Sequence, residues 1–249
     1  MTDITIQWRS VGACPLCSSI KRHWYTAKPW STISINFWLC ECGLVYADMV
    51  PANDDEVGRY YDEFYTPLTV AQWGIERLKN NELGRATRIV DCFEYEKVER
   101  HLDVGCAWGR LMQEMQSRYN CVSEGVDIRC LTEGYKVYKD LDEVEGTYDL
   151  ITSLHTLEHM VDPVGFLRAL RPFCSKHLFL EVPSFRPEIG VLSAHHLFGF
   201  TTHSLEKALL RAGWYPTLIR QIMHSLSRDD DGFSRCKIEL QAFAEVTSE

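Results

Sequence analysis

Three groups of residues in this chain have the types and spacing that chemistry requires. The first is Asp103-Val104-Gly105-Cys106-Ala107-Trp108-Gly109, a carboxylate at the end of a strand-like run with two glycines beyond it. A pyrophosphate-binding turn would carry glycine where Asp103 stands. The acid suits instead a ligand with a cationic amino-acid tail, and Gly105 lets the backbone approach it where a Cβ would collide. Asp127-Ile128 closes the next run, and in an open parallel sheet that acid can hydrogen-bond both hydroxyls of a ribose. Asp140-Leu141 closes a third, offering an acceptor for an adenine amino group and an apolar face for its ring. The second group is Cys14-Pro15-Leu16-Cys17 with Cys40-Glu41-Cys42, two close pairs whose four thiolates can enclose a tetrahedral zinc ion. The third is His155, His195 and His196, side chains able to take a proton near neutral pH.

Regular elements must carry these groups. Val98 to Asp103 reads as a strand that turns on Gly105 into a helix beginning near Gly109. Cys121 to Val126, Tyr135 to Asp140, Tyr148 to Ser153 and Lys176 to Val182 read as further strands, each of the first three meeting a candidate site residue at its end. Pro163 to Leu170 is a helix between the fourth and fifth strands. Leu205 to Ala212 is another, capped by Thr202 or Ser204 and ended by Gly213. Trp214 to Ile222 and Cys236 to Ala244 form a closing antiparallel pair, joined by a loop through Arg228 and Asp229-Asp230-Asp231-Gly232 that is long enough to touch substrate. Upstream, residues 51–56 are a polar linker, and Tyr60, Tyr61, Phe64 and Tyr65 mark one face of an amphipathic helix. A longer helix runs from about Ala71 to Tyr95, and Ile33 to Leu39 is β-like. The organisation is α/β: a ribbon over 1–50, a helical linker or cap over 51–97 and a sheet domain over 98–249.

Composition narrows the possibilities. At 249 residues, 45% hydrophobic and 12% aromatic, the chain can bury one full domain and a small appendage. A net charge of −9 opposes a nucleic-acid partner, which would normally meet a basic stripe. The apolar runs fall short of a membrane span, and the N-terminus has no charged-then-apolar leader, so a cytoplasmic location is expected. Ten cysteines in that compartment point to thiols and metal instead of disulfides.

The strand tips together with Leu154-His155-Thr156-Leu157-Glu158-His159-Met160-Val161-Asp162-Pro163 resemble the class I S-adenosylmethionine-dependent methyltransferases over about residues 98 to 222. The resemblance implies a Rossmann-like seven-stranded sheet with helices on both faces. It implies a cofactor held by Asp103, Gly105, Cys106, Gly109, Asp127, Ile128, Asp140, Leu141 and Leu154. Many members carry a further glycine where this chain has Ala107. The cysteine segment resembles the N-terminal zinc-binding part of certain sugar C-methyltransferases, whose second pair is C-x2-C where this one is C-x1-C. The shorter pair makes His23 a substitute ligand. In those enzymes a Glu-His pair carries the base; His196 matches the histidine and His195 stands in place of the glutamate. In quinone O-methyltransferases, Glu-x-x-Glu-His holds a divalent ion, and His155, Glu158 and His159 match that triplet with one ligand changed. An Asn-Pro-Pro-Tyr run is absent, which weighs against methylation of a nucleobase or amide nitrogen.

The resemblance therefore implies methyl transfer to oxygen or carbon of a small molecule, a sugar or nucleotide-sugar, with a histidine base and a structural zinc ion. Two alternatives stay open at this point. One is a tRNA or protein methyltransferase whose ribbon recognises a macromolecule; the other is a non-catalytic interaction protein on the same fold.

Overall fold

The computed structural model describes residues 6–25, 36–95, 97–129, 131–185, 196–225 and 236–246. In chain order the strands are β1 (Trp8–Ser10), β2 (Arg22–Tyr25), β3 (Phe37–Cys40), β4 (Val45–Ala47), β5 (Met49–Pro51), β6 (Arg100–Val104), β7 (Val122–Val126), β8 (Val137–Tyr138), β9 (Tyr148–Leu154), β10 (Cys174–Pro183), β11 (Phe198–Gly199), β12 (Trp214–Ser225) and β13 (Cys236–Val246). The α-helices are α1 (Asp54–Tyr60), α2 (Thr66–Trp73), α3 (Ile75–Val90), α4 (Arg110–Tyr119), α5 (Pro163–Leu170) and α6 (Thr202–Arg211). A seven-stranded sheet has the order β12-β13-β10-β9-β6-β7-β8, and a four-stranded sheet the order β11-β4-β3-β2. The chain forms two compact units: Met1–Arg9 with Pro51–Ser153 and Pro172–His177, and Ser10–Val50 with Leu154–Arg171 and Leu178–Glu249.

In the first unit β6 pairs in parallel with β7 on one side and β9 on the other, setting Asp103 beside Gly125 and Thr152. Four successive residues of β6, His101 to Val104, are buried, as befits a central parallel strand covered on both faces. Helix α4 buries Leu111, Met112 and Met115, each contributing about 1.5–3 kcal/mol. Its start depends on Gly109 at φ +72°, where a Cβ would meet Thr132 Oγ1 at 2.7 Å and Met112 Cε at 2.9 Å.

The helical segment before β6 departs from the sequence expectation. The tyrosine face is not one amphipathic helix: α1 gives way to a π-helical turn over Tyr61–Tyr65 before α2 begins. The wider turn rotates the face that α2 presents, so a single 3.6-residue period cannot run through it. Helix α3 starts after Gly74, at φ +73°, and stops at Val90 instead of running from 71 to 95.

In the second unit, Asp162 accepts from the Gly165 amide at 2.9 Å and Pro163 opens α5, a start legible as Asp-Pro. Helix α6 begins earlier than its sequence suggests. Thr201 is the cap and Ser204 its reciprocal partner three residues on, because both hydroxyls can satisfy each other's backbone N–H. Strands β12 and β13 pair antiparallel, with a register shift between Pro216 and Leu218 at a residue that has no N–H to give. The stretch 226–235, with the expected substrate loop, lies outside the described residues, as do His195 and residues 33–35 of the β-like stretch.

Candidate active site and thiolate centre

At the C-terminal end of β6 the chain turns through Gly105 at φ +87°, and the Gly105 amide donates to the Val126 carbonyl at 2.8 Å. Two residues on, Ala107 sits at φ +44°, in the left-handed region that favours glycine. Asp127 stabilises this loop: its Oδ2 accepts from the Ala107 amide at 2.9 Å and its Oδ1 from the Arg129 amide at 2.9 Å. Each oxygen keeps acceptor capacity for a diol. Asp140 caps the short 3-10 turn Leu141–Glu143, accepting from the Asp142 amide at 3.0 Å. Ile128 is exposed, Leu141 half-buried and Cys106 buried. Leu154, the last residue of β9, belongs to the second unit.

Asp103 is 4% exposed and accepts from Thr152 Oγ1 at 2.8 Å. Burial pushes its pKa up to about 7; the Thr152 hydroxyl pulls the other way, while Glu82 and Asp127 add repulsion. Thr152 Oγ1 lies 2.8 Å from His101 Nε2, and His101 Nδ1 lies 2.7 Å from Ser123 Oγ. Since Thr152 gives its proton to Asp103, His101 Nε2 is the donor to Thr152 and Nδ1 accepts from Ser123. Burial holds the His101 pKa down at about 3, so the ring is neutral and this polarity is fixed. Spacing gives no hint of His101 or Thr152. Nor does it reveal Glu82 of α3, which accepts from the Arg110 amide at the start of α4 at 3.2 Å. Glu82 Oε2 is buried with no hydrogen-bond partner among the described residues, and burial raises the pKa of this carboxyl. A buried carboxyl beside a glycine turn and a second, half-buried one with a buried unpartnered oxygen fit the cationic groups of S-adenosylmethionine.

In the second unit Cys14, Cys17, Cys40 and Cys42 converge, their sulfurs all within 4.8 Å of one another. Cys14 and Cys42 are 3.7 Å apart and Cys17 and Cys40 3.5 Å, far beyond a disulfide length of about 2.05 Å. Tetrahedral thiolates bonded at about 2.3 Å to zinc would lie about 3.8 Å apart, so the donor set fits that ion. The short C-x1-C pair is accommodated by Gly43 at φ +81°, whose amide bonds back to the Cys40 carbonyl at 2.9 Å. His23, on β2, is exposed and stands outside the cluster. The neighbouring Cys14 thiol lowers the Cys42 pKa to about 5, whereas that hydrogen bond and burial push Cys14 up.

His155 and His196 fall in a second polar cluster of the same unit. His155 Nε2 is 3.0 Å from Glu239 Oε1 and 3.5 Å from Glu181 Oε1, and its Nδ1 is 3.3 Å from Glu158 Oε1. The same Glu158 oxygen lies 3.7 Å from His159 Nε2 and 4.0 Å from His196 Nε2. The His159 and His196 rings meet edge to face at 5.0 Å. Burial opposes ionisation of Glu158, but the three imidazoles outweigh it and hold the carboxyl at about 2. The backbone fixes the arrangement: the Leu197 amide donates to the Glu158 carbonyl at 2.8 Å. The signal for Glu181 was an acid inside the apolar run Leu178 to Val182, and for Glu239 an acid inside the closing strand.

A parallel sheet whose tips carry Asp103, Gly105 and Asp127, closed by an antiparallel pair, is the fold of a class I S-adenosylmethionine-dependent methyltransferase. Residues 78–228 match the family described as methyltransferase domain, and the chain belongs to that family. Among solved structures it is similar to the magnesium protoporphyrin IX methyltransferase of Synechocystis PCC 6803 with bound S-adenosylhomocysteine. The TM-score is 0.55 at 13% identity, covering 78% of this chain and 100% of that one. It is also similar to the 1,6-didemethyltoxoflavin-N1-methyltransferase of Burkholderia thailandensis, at a TM-score of 0.58 and 12% identity, covering 90% of this chain and 100% of that one. No curated protein matches. Among the described residues no helix is long and apolar enough to cross a membrane.

Proposed function

We propose that the protein transfers the methyl group of S-adenosylmethionine to an oxygen or carbon of a small molecule, a sugar or nucleotide-sugar, with His196 as general base. The observation that carries this reading is the pairing of His196 with buried Glu158. The carboxylate missing from the 195–196 run is supplied from the loop after β9. Imidazole backed by carboxylate is a suitable base, and His196 is the most exposed of the three histidines around Glu158, at 25% of its side chain. His155 and His195 are the alternates. Both similar structures are named for small-molecule acceptors, which supports a small molecule over a macromolecule as acceptor. Incubation with methyl-labelled cofactor and a panel of nucleotide-sugars tests the reading. Label found only in tRNA or protein after exposure to a cell extract would sink it.

Asp103, Gly105, Cys106, Gly109, Asp127, Ile128, Asp140, Leu141 and Leu154 are proposed to hold the cofactor, which supplies an already activated methyl group. Asp103 receives its ammonium group and must then be ionised. With a pKa near 7, the ionised fraction drops about tenfold from pH 8 to pH 6, and cofactor affinity is expected to fall with it. Thr152→Val should move that midpoint upward, because it removes the hydrogen bond favouring the carboxylate, and Thr152→Ser should restore it. Calorimetric titrations across pH read this directly. A Thr152→Val midpoint equal to wild type would remove Thr152 from the role.

The ribbon over residues 1–50 is proposed to hold one structural zinc ion through Cys14, Cys17, Cys40 and Cys42, ahead of a cap over 51–97 and the methyltransferase domain over 98–249. Four thiols kept reduced suit the cytoplasm. Metal analysis should give zinc in wild type and in His23→Ala, and loss of it in Cys42→Ser. Full zinc in Cys42→Ser would exclude that ligand.

A further inference from the structure

We propose that His155, Glu181 and Glu239 form a site for a divalent cation of the manganese, iron or zinc kind, separate from the four thiolates. The three ligand atoms lie within 4.8 Å of one another. His155 Nε2 is 3.0 Å from one carboxylate oxygen and 3.5 Å from the other, the separations that ligands about 2.1 Å from a shared ion adopt. One imidazole and two carboxylates are a donor set for such ions, with positions left open for an oxygen of the acceptor.

Two further features belong to a metal site. Ligating histidines give their other nitrogen to a carboxylate, and ligating carboxylates are themselves hydrogen-bonded. His155 Nδ1 faces Glu158 Oε1 at 3.3 Å. Glu181 Oε2 accepts from Gln241 Nε2 at 2.8 Å, and Gln241 Oε1 accepts in turn from Arg220 Nε at 3.0 Å. Oε1 of Glu181 is thereby turned to the histidine. The charge balance points the same way. Glu158, Glu181 and Glu239 are all essentially buried, and buried charges need a paired cation or a metal. Finally, His155 sits at φ +51°, pinned by its amide bond to the Glu181 carbonyl at 2.8 Å. Left-handed backbone at a non-glycine residue persists where the surroundings enforce it.

This site does not depend on the acceptor or on the His196 assignment. The test titrates Mn2+ into the full, zinc-loaded chain and follows free Mn2+ by electron paramagnetic resonance. Mn2+ is chosen because carboxylate and imidazole accept it whereas a four-thiolate centre selects softer ions. Wild type is expected to bind one Mn2+ per chain and to melt at a higher temperature in its presence. Glu239→Gln and Glu181→Gln should each weaken binding at least tenfold and lose the melting shift, while His196→Ala keeps both. Thermal melts without Mn2+ establish that the variants fold. Absence of saturable Mn2+ binding in wild type overturns the site. So does binding that survives Glu239→Gln yet vanishes in His159→Ala, which would move the ion to the neighbouring Glu158, His159 and His196 set. Cofactor calorimetry on the same samples reads the methyltransferase assignment separately.

Discussion

Replacing His196 by alanine is expected to lower methyl-transfer turnover about a hundred- to ten-thousandfold, with cofactor affinity nearly unchanged. The ring lies 4.0 Å from Glu158 Oε1 and is not among the residues proposed to hold the cofactor. The loss should therefore appear in kcat more than in cofactor binding. Single-turnover transfer across pH is the decisive measurement, since removal of the base should flatten the acidic limb of the profile. His155→Ala is the companion variant. If His196→Ala keeps most of the rate and an unchanged profile, the proton goes elsewhere, and His195 is the next residue to replace. Glu158→Gln offers an intermediate case: it keeps the shape of the side chain but removes the charge that favours a protonated imidazole, so the apparent pKa of the rate should fall.

Asp127→Ala should weaken S-adenosylmethionine binding about ten- to a hundredfold, from loss of charged hydrogen bonds worth roughly 1.5–3 kcal/mol. The carboxylate also anchors the Ala107 and Arg129 amides at 2.9 Å each, so the alanine variant loses the loop's support as well as the ribose contact. Asp127→Asn separates the two effects. Its carbonyl can still accept from one amide, so the loop is partly kept while one ribose acceptor is exchanged for a donor. Titration calorimetry of both variants measures the split. Binding in Asp127→Ala equal to wild type would take this residue out of the site.

The parallel strands and their acidic tips were readable in the sequence because each is a short stretch containing β-branched, aromatic or leucine residues that stops at a turn signal or an acid. Asp162-Pro163 was readable for a similar local reason. The features that stayed hidden depend on contacts between distant segments. The capping role of Ser204 became clear only with Thr201 three residues before it, since either hydroxyl alone reads as a plausible start. Helix α3 was overextended because nothing in composition marks Gly74 as left-handed. The π-helical turn at Tyr61–Tyr65 was invisible for a different reason: a period of four or five residues in aromatics satisfies an α-helix equally well. Thr152, Glu82, Glu181 and Glu239 lie in separate elements, and only folding brings each to its partners. Charged residues within apolar strands, as in Leu178 to Val182, are the one signal that would have found Glu181.

Leu197 links two parts of the second unit through the backbone of a single residue. Its amide holds the Glu158 carbonyl, and its carbonyl receives the Ala47 amide at 2.8 Å, where β4 also pairs with β11. Strand β4 comes directly after the turn that carries Cys40 and Cys42. The thiolate turn, strand β4 and the histidine segment are thus joined in series by backbone bonds. Oxidation of those thiols would therefore loosen the backbone chain that leads to the segment bearing His196. With His196 as the proposed base, peroxide acting on the ribbon should be felt at the step of proton removal.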